Sequence, residues 1–569
     1  MALLCLTTTI MAKKSETVTL RLVETSDVHG AFFPYDFIER KPMRGTLARV
    51  STYINRQRKE PGQHLILLDN GDILQGQPTC YYYNYIKTDE QNIAAQVVNY
   101  LRYDAENIGN HDVETGHAVY DKWTGELDCP TLGANIIDTR TGKPYAKPYV
   151  IMERQGVRIA VLGMLTPAIP NFLNQALWQG MRFEDIVSSA RRWVRHLKEA
   201  ERADVVVGLF HSGWTGGIVT PDYVEDATRL VAEQVEGFDV IFFGHDHSVF
   251  NSTVNGVLCM NPANNALNVA EATVTCTKEN GRWTVSKRQG QIVDITQEAI
   301  DSAFVSHFQP QINQVREFVE RQIGTFTATV SSGDSFFGPA PFTDLIHEVQ
   351  LAETRAEISL TAPLVFDTEI KAGPVYMSDL FKLYRYENQI YVMRLTGREV
   401  RQVLEMSYGM WTNTMRRPDD HIMRLSGDTQ GNEKRRGFIH PIYNFDSAAG
   451  IDYEVDVTKP DGEKVRILQM SSGKPFDEKA WYRVAVNSYR GNGGGELLTR
   501  GAGIPPDSIP GRIEWMSRLD QRYYLMSMIE RRGSVSPQSY GNWRFVPESW
   551  ARPAIERDRK ILFPRLNHY

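Results

Sequence analysis

Cysteine is scarce in this chain of 569 residues: Cys5, Cys80, Cys129, Cys259 and Cys276 are all there is. None forms a CxxC pair, which argues against a zinc ribbon or a redox motif, and five are too sparse for a disulfide framework. Long apolar runs are missing too. Without 18 consecutive apolar residues, no transmembrane segment is expected. Nor is there a surplus of either charge: 63 Lys and Arg stand against 69 Asp and Glu, a formal net charge of -6. A mildly acidic chain has no electrostatic reason to seek a nucleic acid polymer. If it handles anions, local cations must do the work, and metals would serve. Internal repeats and low-complexity tracts are also absent.

The composition that remains, 42% hydrophobic and 23% charged, is that of a globular protein, and the length asks for two substantial domains. The start, MALLCLTTTIMA, is apolar with small residues like the end of a secretion signal, so residues 1–14 are read as a leader. The usual basic residues before such a stretch are missing; Lys13 and Lys14 follow it.

Strands are predicted at 18–24, 64–68, 157–163, 204–210 and 239–243, with helices around 47–58 and 184–202, and antiparallel strands within 267–294. This alternation predicts a layered α/β domain over 15–294. Residues 295–324 carry a helical period and read as a linking helix, bent at Pro310. A second α/β unit follows over 325–535, and 536–569, rich in Pro, Trp and Arg, reads as an irregular tail.

Five polar clusters follow predicted strands: Asp27-Val28-His29, Gly71-Asp72, Gly109-Asn110-His111-Asp112, His211-Ser212-Gly213 and Gly244-His245-Asp246-His247. Loops beyond the strand ends of an α/β sheet are where ligands bind. Alone, a DxH is an ordinary turn and a GNHD an ordinary helix cap. Together they place five of the 13 histidines at strand ends, beside carboxylates and an amide. Imidazole, carboxylate and amide oxygen suit two divalent ions, with Mn, Zn, Fe and Co all compatible. Asp72, after glycine on a tight turn, suits a bridge. One metal is assigned to Asp27, His29, Asp72 and His247, the other to Asp72, Asn110, His211 and His245. Two such ions roughly 3.5–4 Å apart can clamp a phosphate for in-line attack. His111 is not needed as a ligand and is free to protonate a leaving oxygen.

The set DVH, NGD, GNHD, FHSG and GHDH resembles the calcineurin-like metallophosphoesterase domain. The resemblance implies a four-layer fold, two sheets flanked by helices, with those seven residues as metal ligands and His111 as the catalytic histidine. Close relatives often carry Asp three residues after that histidine. Here Glu114 stands there, and Asp112 is the second candidate for its partner.

In the second unit, Tyr443-Asn444-Phe445-Asp446 and Asn487-Ser488-Tyr489-Arg490 before Gly491-Asn492-Gly493-Gly494-Gly495 resemble the C-terminal domain of 5′-nucleotidases. They are similar above all to the branch of 2′,3′-cyclic-nucleotide 2′-phosphodiesterase/3′-nucleotidases. That resemblance implies a base stacked between two aromatics, Phe445 or Tyr443 against Tyr489, with Asn487 and Asp446 bonding base or ribose. Gly493 and Gly494 would let backbone N–H groups approach the ligand. A phosphate-binding arginine is not where the resemblance puts it, near 361–366, so it is either lost or replaced by Arg385, Arg394 or Arg490.

The expected function is two-metal hydrolysis of a nucleotide or related small phosphate ester, by resemblance that of a 2′,3′-cyclic-nucleotide 2′-phosphodiesterase/3′-nucleotidase, in a periplasmic or extracellular location. The alternatives are a 5′-nucleotidase or UDP-sugar hydrolase, and a nucleotide-binding relative without turnover.

Overall fold

The computed structural model describes residues 16–427 and 437–564, so the expected leader lies outside the described residues. In chain order the first α/β unit has strands β1 (Thr17–Thr25), β2 (Gln63–Asp69), β3 (Ala105–Asn107), β4 (Thr131–Leu132), β5 (Tyr149–Arg154), β6 (Val157–Leu165), β7 (Val205–His211), β8 (Val240–Phe243), β9 (Val249–Val254), β10 (Val257–Pro262), β11 (Asn268–Glu279) and β12 (Arg282–Asp294).

They form two six-stranded sheets, ordered β12-β11-β1-β2-β3-β4 and β9-β10-β8-β7-β6-β5. In the first, β1 to β4 run parallel and β11 and β12 close one side antiparallel. In the second, β6, β7, β8 and β10 are parallel. Parallel strands covered on both faces read as continuous apolar runs, as in the wholly buried VVVGLFH of β7. Leu20, Leu22, Ile66 and Leu68 from one sheet meet Ile159, Val207 and Phe242 from the other in a core between them. On the outer faces, helix Leu47–Gln57 covers the first sheet and helix Ile186–Glu199 the second. Thr46 and Asp185 cap these helices through their side chains, accepting from the N–H of Arg49 and Ser188. The result is the expected helix–sheet–sheet–helix sandwich.

The link is two helices, Ser302–His307 and Gln309–Glu320, meeting at Phe308, with Pro310 in the first turn of the second, where its missing N–H costs nothing. Beyond it a five-stranded sheet carries β13 (Ile358–Thr361), β14 (Gln389–Thr396), β15 (Ser447–Ala449), β16 (Trp481–Asn487) and β17 (Ile513–Asp520), in the order β15-β13-β16-β14-β17.

Much of the described part of the segment read as an irregular tail is regular structure. Trp543–Val546 pairs with strand Ile451–Asp456, and Glu548–Leu562 is a helix. Trp543, Phe545, Ala554 and Leu562 pack into the core of the second unit. Among the described residues, no helix is long and apolar enough to cross a membrane.

Candidate functional site

The predicted clusters converge. β1, β2 and β3 from one sheet and β7 and β8 from the other end at one edge of the sandwich; His211 is the last residue of β7, and Asp27, Asp72, Asn110 and His245 follow the other four within a few residues. The turns there are unusual. Asp27, His29, Asp72, His245 and His247 all have positive φ, between 49° and 73°. Each costs on the order of 1–2 kcal/mol in a residue other than glycine, and such conformations gather where function demands them. Glycines bring these turns together. A Cβ on Gly109 would lie 2.2 Å from Asp72 Oδ1, and one on Gly244 would lie 2.5 Å from Asp27 Oδ2.

Of three groups of potential ligand atoms among the described residues, two are made of the predicted residues, Asp27, His29 and His247 in one and Asp72, His211 and His245 in the other; the third joins His245 to Glu225 and Asp226. In the first, His29 Nε2 lies 3.1 Å from His247 Nε2, which is itself 3.2 Å from Asp27 Oδ1. In the second, His211 Nε2 lies 3.1 Å from both Asp72 Oδ2 and Asn110 Oδ1. The other ring nitrogens fix the tautomers. His29 Nδ1 is 3.1 Å from the carbonyl of Gln75, and His211 Nδ1 is 2.7 Å from that of Asn70. Each Nδ1–H donates to that carbonyl, so each ring turns its Nε2 inward. His211 Nε2 then faces carboxylate and amide oxygens, and His29 Nε2 faces a second imidazole nitrogen, in a buried place that only positive charge makes tolerable. The carboxylates raise that demand. Burial opposes a charge on His211, yet Asp72 and Asp27 outweigh it and push its pKa up to about 10. Burial pushes His29 the other way, down to about 3, keeping it neutral. The residues present fit divalent cations, which would meet the demand with their own charge.

Glu114, not Asp112, faces the histidine beside this site. Glu114 Oε2 is 2.6 Å from His111 Nδ1. The Asp112 carboxylate instead accepts the backbone N–H groups of Asp72, Ile73, Leu74 and Gly109 at 2.8–3.0 Å, which shapes the turn carrying Asp72. Burial, then the charge of Asp72, pushes its carboxyl up to about 6.

The second unit corrects several expectations. Phe445 has no exposed surface: it stacks at 5.5 Å on Trp411 within the core, because the short turn 442–444 swings it inward. Arg490 and Asp446 are buried and bind each other, Nε to Oδ2 at 2.8 Å and Nη2 to Oδ1 at 2.9 Å. Each spends its charge on the other. Asn487 caps the turn Ser488–Gly491, its Oδ1 accepting from the Arg490 N–H. Gly494 lies against Tyr489, where a Cβ would fall 2.5 Å from the ring, while Gly493 takes φ of 99° and turns the loop. Arg394 stacks on Trp481 and pairs with Glu514.

Tyr489 and Tyr443 stay partly exposed, their rings edge to face at 5.9 Å. Sequence reasoning missed Phe172, whose ring lies 6.5 Å from Tyr489 at 19° and 6.3 Å from His245, joining the aromatic face to the histidine cluster. It also missed Glu225 and Asp226, whose carboxylates lie 3.0 and 3.9 Å from His245 Nε2. They come from a short hairpin with no motif of its own. The acidic pair after His211 was the only signal.

Residues 20–249 match the calcineurin-like phosphoesterase family and residues 321–500 the 5′-nucleotidase C-terminal domain. The chain is 28% identical, over 95% of its length, to the trifunctional nucleotide phosphoesterase protein YfkN of Bacillus subtilis, and spans 40% of that longer protein. It is 26% identical to the 2′,3′-cyclic-nucleotide 2′-phosphodiesterase/3′-nucleotidase of Yersinia enterocolitica, covering 97% of this chain and 91% of that one. A solved 5′-nucleotidase precursor of Thermus thermophilus superposes on 93% of this chain and 100% of its own with a TM-score of 0.63. At 20% identity that likeness is one of fold.

Proposed function

We propose that this chain, a metallophosphoesterase bearing a 5′-nucleotidase C-terminal domain, hydrolyses nucleotide phosphate esters and takes 2′,3′-cyclic and 3′-nucleotides as its substrates. The inward-facing Nε2 atoms of His29 and His211, beside Asp27 and Asp72, carry the reading.

In this reading Asp27, His29, Asp72 and His247 would hold one divalent cation, and Asp72, Asn110, His211 and His245 would hold another. Such ions supply charge that neutralises the phosphate and acidifies water. The remaining work falls to side chains. His111, oriented by Glu114, donates a proton to the leaving ribose oxygen. Tyr489, with Tyr443 at its edge and Phe172 facing it from the first unit, offers the flat surface on which a base stacks. Of the three arginines considered for phosphate, Arg490 and Arg394 are committed elsewhere. Arg385 belongs to the segment 384–388 that meets the first unit. The relatives' names supply the substrate class; the histidine cluster supplies the reaction.

The test is a panel of AMP, 3′-AMP, 2′,3′-cyclic AMP and a UDP-sugar, with and without chelator and added Mn²⁺. Metal-dependent turnover with the 3′ and cyclic esters ahead is expected. Preference for AMP or the UDP-sugar would overturn the substrate, and metal-independent turnover would overturn the chemistry. An exported location belongs to the same reading, resting on the apolar start, and N-terminal sequencing of the mature protein checks it.

A further inference from the structure

We propose that Asn388, in the second unit, is a positioning residue for the His111–Glu114 pair of the first, so that the proton donor is completed by contact between the two halves of the chain. This rests on the role of His111 given above. The two carboxylate oxygens of Glu114 have different partners. Oε2 lies 2.6 Å from His111 Nδ1, while Oε1 accepts from Asn388 Nδ2 at 3.4 Å. The contact is sheltered: the Glu114 side chain is 8% exposed and Asn388 7%. A carboxylate held by one oxygen can swing about that bond, and holding the second fixes its plane and the ring beyond it. Glutamate, one methylene longer than aspartate, has the reach to touch both partners at once.

Asn388 is itself held. Its Oδ1 accepts from the Tyr384 hydroxyl at 3.3 Å and its carbonyl from the Gln521 N–H at 2.8 Å. The segment before it is clamped by Arg522, which is fully buried. Arg522 Nε donates to the carbonyl of Tyr384 at 3.1 Å, and Nη2 donates to that of Arg385 at 2.9 Å and to Glu387 Oε1 at 3.0 Å. Its guanidinium sits 3.9 Å above the ring of Phe381 and 4.9 Å from that of Tyr81, a residue of the first unit. An arginine with a planar fork and two aromatic faces fixes a loop in place. Connected contacts therefore run from Arg522 through segment 384–388 to Asn388, Glu114 and His111.

The experiment compares kcat and KM for Asn388→Ala, Glu114→Ala and the double variant on p-nitrophenyl phosphate and phenyl phosphate. Phenolate is the poorer leaving group and needs the proton more. Asn388→Ala should lower kcat on phenyl phosphate by about tenfold, the order of one hydrogen bond to a charged group, with KM unchanged and p-nitrophenyl phosphate little affected. Adding it to Glu114→Ala should change nothing further, since both act through one ring. Equal losses on the two esters, or additive losses in the double variant, would overturn the proposal. A Glu114→Ala variant indifferent to the leaving group sinks the role of His111 and the proposal with it. A steep response there with a flat one in Asn388→Ala sinks the proposal alone. If Asn388→Ala does not fold, the isosteric Asn388→Asp, which sets a carboxylate against Glu114, should show the same dependence on leaving group.

Discussion

Replacing Arg490 with methionine separates two roles that its place in the sequence allows, gripping a phosphate or holding the second unit together. The guanidinium is 2% exposed and spends its donors on protein: both carboxylate oxygens of Asp446, the carbonyls of Tyr443 and Gly494, and Asn444 Oδ1. Methionine fills similar space but leaves the Asp446 carboxylate, itself 3% exposed, without its cation. Breaking one side of a buried pair costs about 3–5 kcal/mol, because the surviving charge is stranded. That is a large share of the 5–15 kcal/mol by which domains are ordinarily stable, on the order quoted for folded proteins. The assay is urea unfolding followed by tryptophan fluorescence, since Trp411 and Trp543 lie in the same core. Arg490→Met should lower the midpoint sharply. Arg490→Met combined with Asp446→Leu should recover most of the loss, because an apolar pair of similar volume replaces a buried ion pair at little cost. An unchanged midpoint with a raised KM for nucleotide would refute this reasoning and return Arg490 to the ligand.

Tyr489→Ala should raise KM for nucleotides by roughly five- to a hundredfold, the equivalent of about 1–3 kcal/mol of base stacking, and leave p-nitrophenyl phosphate untouched. Phe445→Leu should cost about 1 kcal/mol of stability with KM unchanged, since that ring is core. Asp72→Asn should abolish metal-dependent turnover while the protein stays folded, checked by circular dichroism beside the activity assay. Asp344 gives a pH signature away from the histidines. Burial pushes its carboxyl up to about 6 from the ordinary 3.8, so the folded state holds that proton more tightly than the unfolded chain. Its contribution to stability is present below about pH 4 and is lost as pH rises through about 6. Asp344→Asn should therefore gain up to about 3 kcal/mol at pH 8 and almost nothing at pH 4, read from thermal midpoints at both pH values.

The strand ends were legible because two signals coincide there. Runs such as Val205–Phe210 announce buried parallel strands, and a polar residue straight after one, such as His211, has nowhere to be but the sheet edge. The first unit's layering followed from the same alternation. What was not legible depended on side-chain direction. YNFD looks like an aromatic ligand face, yet the turn at 442–444 aims Phe445 at Trp411, and nothing in the residue types marks that rotation. Asp446 and Arg490 are 44 residues apart, and each satisfies the other only because two loops meet. The last segment was misread because Pro553 sits inside its helix and breaks the apparent period, while Trp543 and Phe545 show too short an alternation to stand out. Phe172 was invisible because only the fold sets its ring against Tyr489 of the other unit.

Anomalous diffraction from crystals of the wild-type protein equilibrated with Mn²⁺ tests the central claim most directly. Two peaks are expected roughly 3.5–4 Å apart, one against Asp27, His29 and His247, the other against Asn110, His211 and His245, with Asp72 touching both. A single peak, or manganese held without Asp72, would contradict the shared-carboxylate centre on which the proposed chemistry depends.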